Sequence, residues 1–229
     1  MKNLKKYINL KNLIVLFITF TLFYTSAYLR LIPIKLLNLD YNKTSTRIIL
    51  TAFSDTILLI TLLLIYRKEL LVEFKKFKSK LINNLDIGIK CWIVGLFIMM
   101  VSNIFLNIIF KVGGANNEKY VQEMIKSLPW LMLITAGFIA PIIEELVFRK
   151  GFRNAFTNKY LFIILSGLIF GSLHIISSNN PLQILYLIPY SSLGIAFAIS
   201  YEKTDTIFTP ITLHILHNTI LTTLSIMVQ

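Results

Sequence analysis

The chain alternates long apolar runs with short polar breaks. Seven runs, at residues 13–29, 48–66, 87–110, 129–156, 160–176, 182–200 and 206–227, are long enough to be read as membrane helices, given that about 20 apolar residues cross a bilayer. Pro129 opens the fourth run, where proline suits the first turn of a helix. The breaks are punctuated by turn formers: Gly113-Gly114-Ala115-Asn116-Asn117 after the third run, and Ser177-Ser178-Asn179-Asn180-Pro181 after the fifth. Between the third and fourth runs, Tyr120, Val121, Met124, Ile125 and Leu128 recur at helical spacing. That pattern predicts a short amphipathic helix lying on the membrane surface. The pattern as a whole predicts an all-α, polytopic transmembrane bundle of about seven spans. We read residues 1–229 as a single membrane domain, with residues 1–112 forming N-terminal helices of no assigned role and 129–229 a C-terminal core of four spans.

Composition agrees. Of the 229 residues, 55% are hydrophobic, above the usual share for soluble domains. The formal net charge is +12, which by itself raises nucleic-acid binding. The bases, however, sit in the breaks between apolar runs, where they serve topology and anionic headgroups rather than a soluble binding face. Nucleic acid is therefore excluded as a partner and the lipid bilayer retained. The single cysteine, Cys91, allows no internal disulfide.

The charges also orient the runs. With the N-terminus inside, 15 of the 23 Lys and Arg residues fall on the inner side and 7 on the outer, Lys90 lying within the third run. Positive residues favour the cytoplasmic side. The expectation is a multi-pass cell-membrane protein with a cytoplasmic N-terminus, its first run retained as a helix rather than removed as a signal. The Lys, Ile and Asn usage has a bacterial look.

Two adjacent carboxylates, Glu144 and Glu145, lie late in the fourth run, and the only three histidines, His174, His214 and His217, lie in the fifth and seventh. Ionisable groups at membrane depth are costly and mark functional interiors. Residues four apart share a helical face, so Glu145 pairs with Arg149 while Glu144 turns away and stays free to accept a proton. If the turn after the fourth run centres on residues 157–159, Glu144 and His174 both lie ~21–24 Å from it at 1.5 Å per residue. That estimate places the site inside the membrane, opening toward the cytoplasmic half, with Arg149, Lys150, Arg153 and Lys159 marking a projection into the cytosol. His214 and Asn218 also share a face. The set can activate a water on Glu144, with His214 and Asn218 stabilising an oxyanion. Alternatively, Glu144, His174 and His214 can ligate a divalent metal such as zinc. No H-E-x-x-H motif is present, and spacing alone leaves both alternatives open.

Glu144-Glu145-x-x-x-Arg149, Phe170-x-x-x-His174 and His214-x-x-x-Asn218 resemble, in order and spacing, the three motifs of the CPBP family of intramembrane proteases. That family includes the CaaX-prenyl proteases and the bacterial Abi or bacteriocin-immunity proteins. The resemblance runs from about Pro129 to the C-terminus. It implies an endopeptidase that cleaves a membrane-associated peptide or protein, with Glu144 as base, His174, His214 and Asn218 assisting, and Glu145 and Arg149 supporting. Members are described as metal-dependent and as metal-independent, and the metal-free form is preferred here with no metal assigned. The alternative is a catalytically silent immunity or scaffold protein that acts by binding.

Other polar groups have structural readings. Asp55, Asn103 and Asn107 suit hydrogen bonds between helices, and Lys90 suits snorkelling. Gly167, Gly171 and Ser172 suit close helix approach. His217 shares a broad face with His214 and is a candidate supporting group.

Overall fold

The computed structural model describes residues 7–110, 116–176 and 181–228. The basic residues Lys2, Lys5 and Lys6, the break at 113–115 and most of the turn at 177–181 lie outside the described residues. Among those described there is no strand, only an isolated bridge between Ile8 and Phe156. The fold is an all-α polytopic bundle.

Among the described residues, eight helices follow one another. They are α1 (Leu10–Thr25, continued by a 3-10 turn and a short helix to Leu37), α2 (Thr44–Ser79), α3 (Leu81–Phe110) and α4 (Asn116–Ser127), followed by α5 (Pro129–Ala155), α6 (Lys159–Leu173), α7 (Pro181–Thr204, its first turns 3-10) and α8 (Phe208–Met227). Five are long and apolar enough to cross a membrane: α1 with its continuation, α2, α3, α5 and α7. Helix α6 has 15 residues, and α8 has 20 but carries two histidines, an asparagine and several threonines. A helix is present at each of the seven expected positions, most with ends shifted by a few residues, but the second runs on to Ser79 rather than ending near residue 66. The expected surface helix is α4, which buries Met124 and Ile125 against Ile48 and Met132.

Helix α2 runs for 36 residues, or ~54 Å, well beyond a ~30 Å hydrocarbon core. Its buried positions Leu58, Leu62, Tyr66, Leu70 and Glu73 form a stripe at three- and four-residue spacing. The main core joins that stripe to Leu146, Val147, Phe148 and Phe152 of α5, Phe162 and Phe170 of α6, and Ala198 and Tyr201 of α7. The outward faces, such as Ile93, Phe97, Ile104 and Ile108 of α3, stay exposed and apolar, as lipid-facing residues do.

Small residues let α7 sit tightly in the middle. A Cβ on Gly167 would stand 2.4 Å from Ile195 Cγ1, and one on Gly171 would stand 2.2 Å from Ser191 Oγ. The backbones of α6 and α7 can therefore touch, as the sequence suggested for Gly167 and Gly171. Ser172 instead bonds within its own helix, to the Ile169 carbonyl at 2.7 Å.

The two ends of the bundle differ. At one, Asn9 N–H donates to the Ala155 carbonyl (2.8 Å), Lys76 pairs with Asp205 (2.6 Å) and Arg153 with Glu202 (2.7 Å). At the other, Gln122 of α4 donates to Ser225 of α8 (2.8 Å), and Asn116 N–H donates to Gln183 Oε1 (3.1 Å). The basic residues 67–80 belong to the first end.

Candidate active site

Helix α5 carries the two carboxylates, and its backbone is irregular around them. Residues Thr135–Ile139 and Glu145–Gly151 are π-helical, a form that often marks functional positions. Pro141 accounts for part of this. It has no N–H to give the Gly137 carbonyl, and the Ala140 N–H reaches back to Thr135, skipping Ala136. Helix α8 answers both losses: Asn218 Nδ2 donates to the Ala136 carbonyl at 3.0 Å, and Thr219 Oγ1 to the Gly137 carbonyl at 3.5 Å. Asn218 thus ties α8 to the loosened stretch of α5 about two turns before Glu144.

The sealed side of the site is an ionic cluster. Glu145 and Arg149 both have no exposed side-chain surface, and their nearest atoms are 3.4 Å apart. The attraction is one of charge, because neither Glu145 Oε2 nor Arg149 Nε has a hydrogen-bond partner. The guanidinium is held further by the Gly194 carbonyl (3.2 Å) and by the face of Phe170, 4.2 Å from its centroid. The pair expected from four-residue spacing is present. Its surroundings differ from expectation, because Arg149 and Lys150 are buried rather than projecting. Lys150 bonds Glu73 and Glu69 of α2 at 2.6 and 2.5 Å. Tyr201 and the Ile207 N–H also donate to Glu73. No helical spacing within one segment links these groups, because Lys150 and the two glutamates lie on different helices.

His214 of α8 stands between the two carboxylates. Its Nδ1 is 2.9 Å from Glu145 Oε1, and its Nε2 is 3.6 Å from Glu144 Oε2. A carboxylate only accepts, so Nδ1 carries a proton; in the neutral form of the ring that contact fixes the tautomer with its lone pair on Nε2. Phe197 stacks on the ring, centroids 4.9 Å apart. Glu145 therefore orients His214 as well as pairing with Arg149. His174, at the C-cap of α6, is fixed the same way: Nδ1 meets the Phe170 carbonyl at 3.1 Å and the ring stacks on Tyr190 at 4.5 Å. His217 is the converse case. Trp92 of α3 donates to its Nδ1 at 3.4 Å, which leaves the proton on Nε2.

Glu144, His174, His214, His217 and Asn218 all line one cavity of about 1200 Å³. The side chains singled out in the sequence thus share one cavity, but it opens away from the end of the bundle toward which it was expected to open. From Glu144 the cavity passes Met99, Asn103, Tyr190 and Leu193 and reaches Asn117, Glu118, Gln122 and Lys126 of α4. That is the end of the bundle opposite residues 67–80. Glu144 keeps 21% of its side-chain surface exposed.

The metal alternative meets a geometric obstacle. Among the described residues, no three His, Cys, Asp or Glu side chains gather closely enough to hold an ion. Glu144, His174 and His214 share the cavity without forming such a set. Asp55 interacts locally, accepting from Ser54 Oγ at 3.4 Å, and Arg30 Nε donates to that same hydroxyl at 3.1 Å.

Residues 126–220, which contain all three motifs, match the family described as type II CAAX prenyl endopeptidase Rce1-like. Over those residues the C-terminal core is similar to the Rce1-like family. Over 115 residues the chain is 31% identical to the protein named "Putative membrane peptidase YdiL" of Bacillus subtilis (strain 168), covering 48% of this chain and 44% of that protein. It is 26% identical over 209 residues to the UPF0177 protein YaiH of Lactococcus lactis subsp. lactis (strain IL1403), covering 90% of this chain and 82% of that one. It is also 26% identical over 123 residues to the UPF0177 protein YajF of the same organism, covering 50% and 59%. The chain thus spans less than half the length of YdiL. No solved structure matches it. The matched region begins just before α5 and ends within α8, so Met99 and Asn103 of α3 line the cavity from outside it and Trp92 reaches the site through His217.

Proposed function

We propose that the chain is a bacterial intramembrane endopeptidase that hydrolyses a peptide bond of a membrane-associated protein or peptide without a metal, using Glu144 as base. The observation that carries this reading is His214 poised between two carboxylates, one sealed and charge-paired, the other open to the cavity. At 3.6 Å, Glu144 Oε2 and His214 Nε2 are too far apart for a direct hydrogen bond, and both are acceptors. A water between them can give one proton to each, which directs a lone pair toward a carbonyl carbon. Glu144 takes the proton as the C–O bond forms. The oxyanion meets the second Asn218 amide proton and the His217 Nε2–H. The tetrahedral adduct then expels the amine, and Glu144 returns the proton to the leaving nitrogen. Glu145 keeps His214 in the required tautomer, and His174, fixed by Phe170 and Tyr190, bounds the substrate.

The match of residues 126–220 to a protease family supports this reading, and the bacterial sources of the relatives support the bacterial assignment. In cells matched for protein abundance, Glu144→Gln should abolish a defined set of peptides found with the wild type. Replacing a general base typically lowers the rate by ~10²–10⁴-fold. Identical peptide profiles for the two strains would favour the silent, binding-only alternative.

A further inference from the structure

The direction of the cavity determines which side of the membrane supplies the substrate. Helix α4 forms its outer wall with one continuous face, Asn117, Glu118, Val121, Gln122 and Lys126. The other face, Met124 and Ile125, is buried against α2 and α5. The wall is fixed at its start by the bond from Asn116 N–H to Gln183 and at its middle by the bond from Gln122 to Ser225. The opposite end of the bundle is closed: Lys150, Glu73, Tyr201 and Thr206 fill it with a buried polar cluster. The lysines of residues 67–80 lie at that closed end. Among the described residues, with the buried Arg149 and Lys150 and the in-span Lys90 left aside, the Lys and Arg side chains divide ten to six in favour of the closed side, which by the positive-inside rule is cytoplasmic.

We propose that substrate comes from the non-cytoplasmic face, passing beneath α4 to Glu144, and that the occupant is a peptide segment presented on that face. The proposal rests on the peptidase reading and adds the side of supply and the form of the substrate. A cavity of about 1200 Å³ exceeds the usual ~300–1,000 Å³ of small-molecule pockets and suits a peptide. Its chemistry is graded, with Met99, Leu193 and Phe197 inside and the amides and opposite charges of Asn117, Gln122, Glu118 and Lys126 at the rim. The fitting segment is apolar where it meets the site and polar where it leaves. Glu144 lies 15 residues along α5 from Pro129, about 22 Å of helix. An extended chain at ~3.3–3.6 Å per residue covers that depth in about six or seven residues, which sets how far the cut lies from the segment's polar flank.

Direction can be read without activity. In full-length protein with Cys91 replaced by serine, single cysteines are placed at Asn103 (N103C), Glu118 (E118C) and Lys78 (K78C). Intact cells and opened cells are then treated with a charged, membrane-impermeant thiosulfonate. We expect N103C and E118C to react in intact cells and K78C only after opening. Reaction of N103C solely from the K78C side, or from neither side, overturns the proposal. M99C, on the same cavity wall, repeats the reading should N103C fail to accumulate. If labelling follows expectation while peptide profiles show no dependence on Glu144, the direction stands and the peptidase reading fails. The reverse outcome removes the direction alone.

Discussion

Glu145 serves two partners at once, and each has a cost if it is lost. Its carboxylate faces Arg149 at 3.4 Å and His214 at 2.9 Å with no exposed surface. Removing one member of a buried charge pair leaves the other uncompensated, which costs about 3–5 kcal/mol. Glu145→Ala should therefore lower thermal stability in detergent by that order, measured by denaturation, whereas Glu144→Gln, at an open position, should leave stability close to wild type. The first half of this arrangement was legible in the sequence, because four-residue spacing on a helix predicts the Glu145–Arg149 pair. The link to His214 was not. It depends on the rotation of α8 against a π-helical stretch of α5, and a sequence periodicity of 3.6 residues cannot report either one. The same limit applies to the imidazole protons, which are set by the Phe170 carbonyl, Glu145 and Trp92, all remote in sequence or hidden in backbone.

Helix α5 depends on its neighbours for its shape. Its two π-helical stretches and Pro141 free backbone carbonyls that α8 must satisfy. Asn218→Ala should strand the Ala136 carbonyl, at about 1–3 kcal/mol for an unsatisfied buried group. If Asn218 also meets the oxyanion, this variant loses activity beyond what its stability explains, and comparing turnover with melting temperature separates the two effects. The contact of α6 with α7 is equally exacting. Gly171→Ala would place a methyl 2.2 Å from Ser191 Oγ and 2.9 Å from the Ser191 backbone nitrogen. Overpacking of this kind costs about 1–3 kcal/mol, so lower accumulation and a lower melting point are expected. The existence of these helices was plain from the apolar runs, as was the turn near Asn158, whose side chain caps α6 through Tyr160 and Leu161 N–H. The π-helical turns left no comparable mark beyond one proline.

At the scale of the whole molecule, the bundle has a closed basic end and an open end under α4. Lys150 anchors the closed end, joining α5 to α2 through Glu73 and Glu69. Lys150→Ala should leave Glu73 buried without its cation and cost about 3–5 kcal/mol, read as lost thermal stability. The sequence misled at this scale because basic residues near an apolar run usually indicate solvent, and here Arg149 and Lys150 are partners for buried acids. The N-terminal helices, which had no assigned role, supply Trp92, Met99 and Asn103 to the cavity region and Glu73 to the closed end. The central claim is that water activated at Glu144 cuts a peptide bond inside this cavity. Its most direct test is to incubate membranes bearing wild type or Glu144→Gln in ¹⁸O-labelled water and sequence the peptides formed. The account predicts new C-termini carrying ¹⁸O with the wild type and none of them with Glu144→Gln. The same labelled termini from both proteins would contradict it.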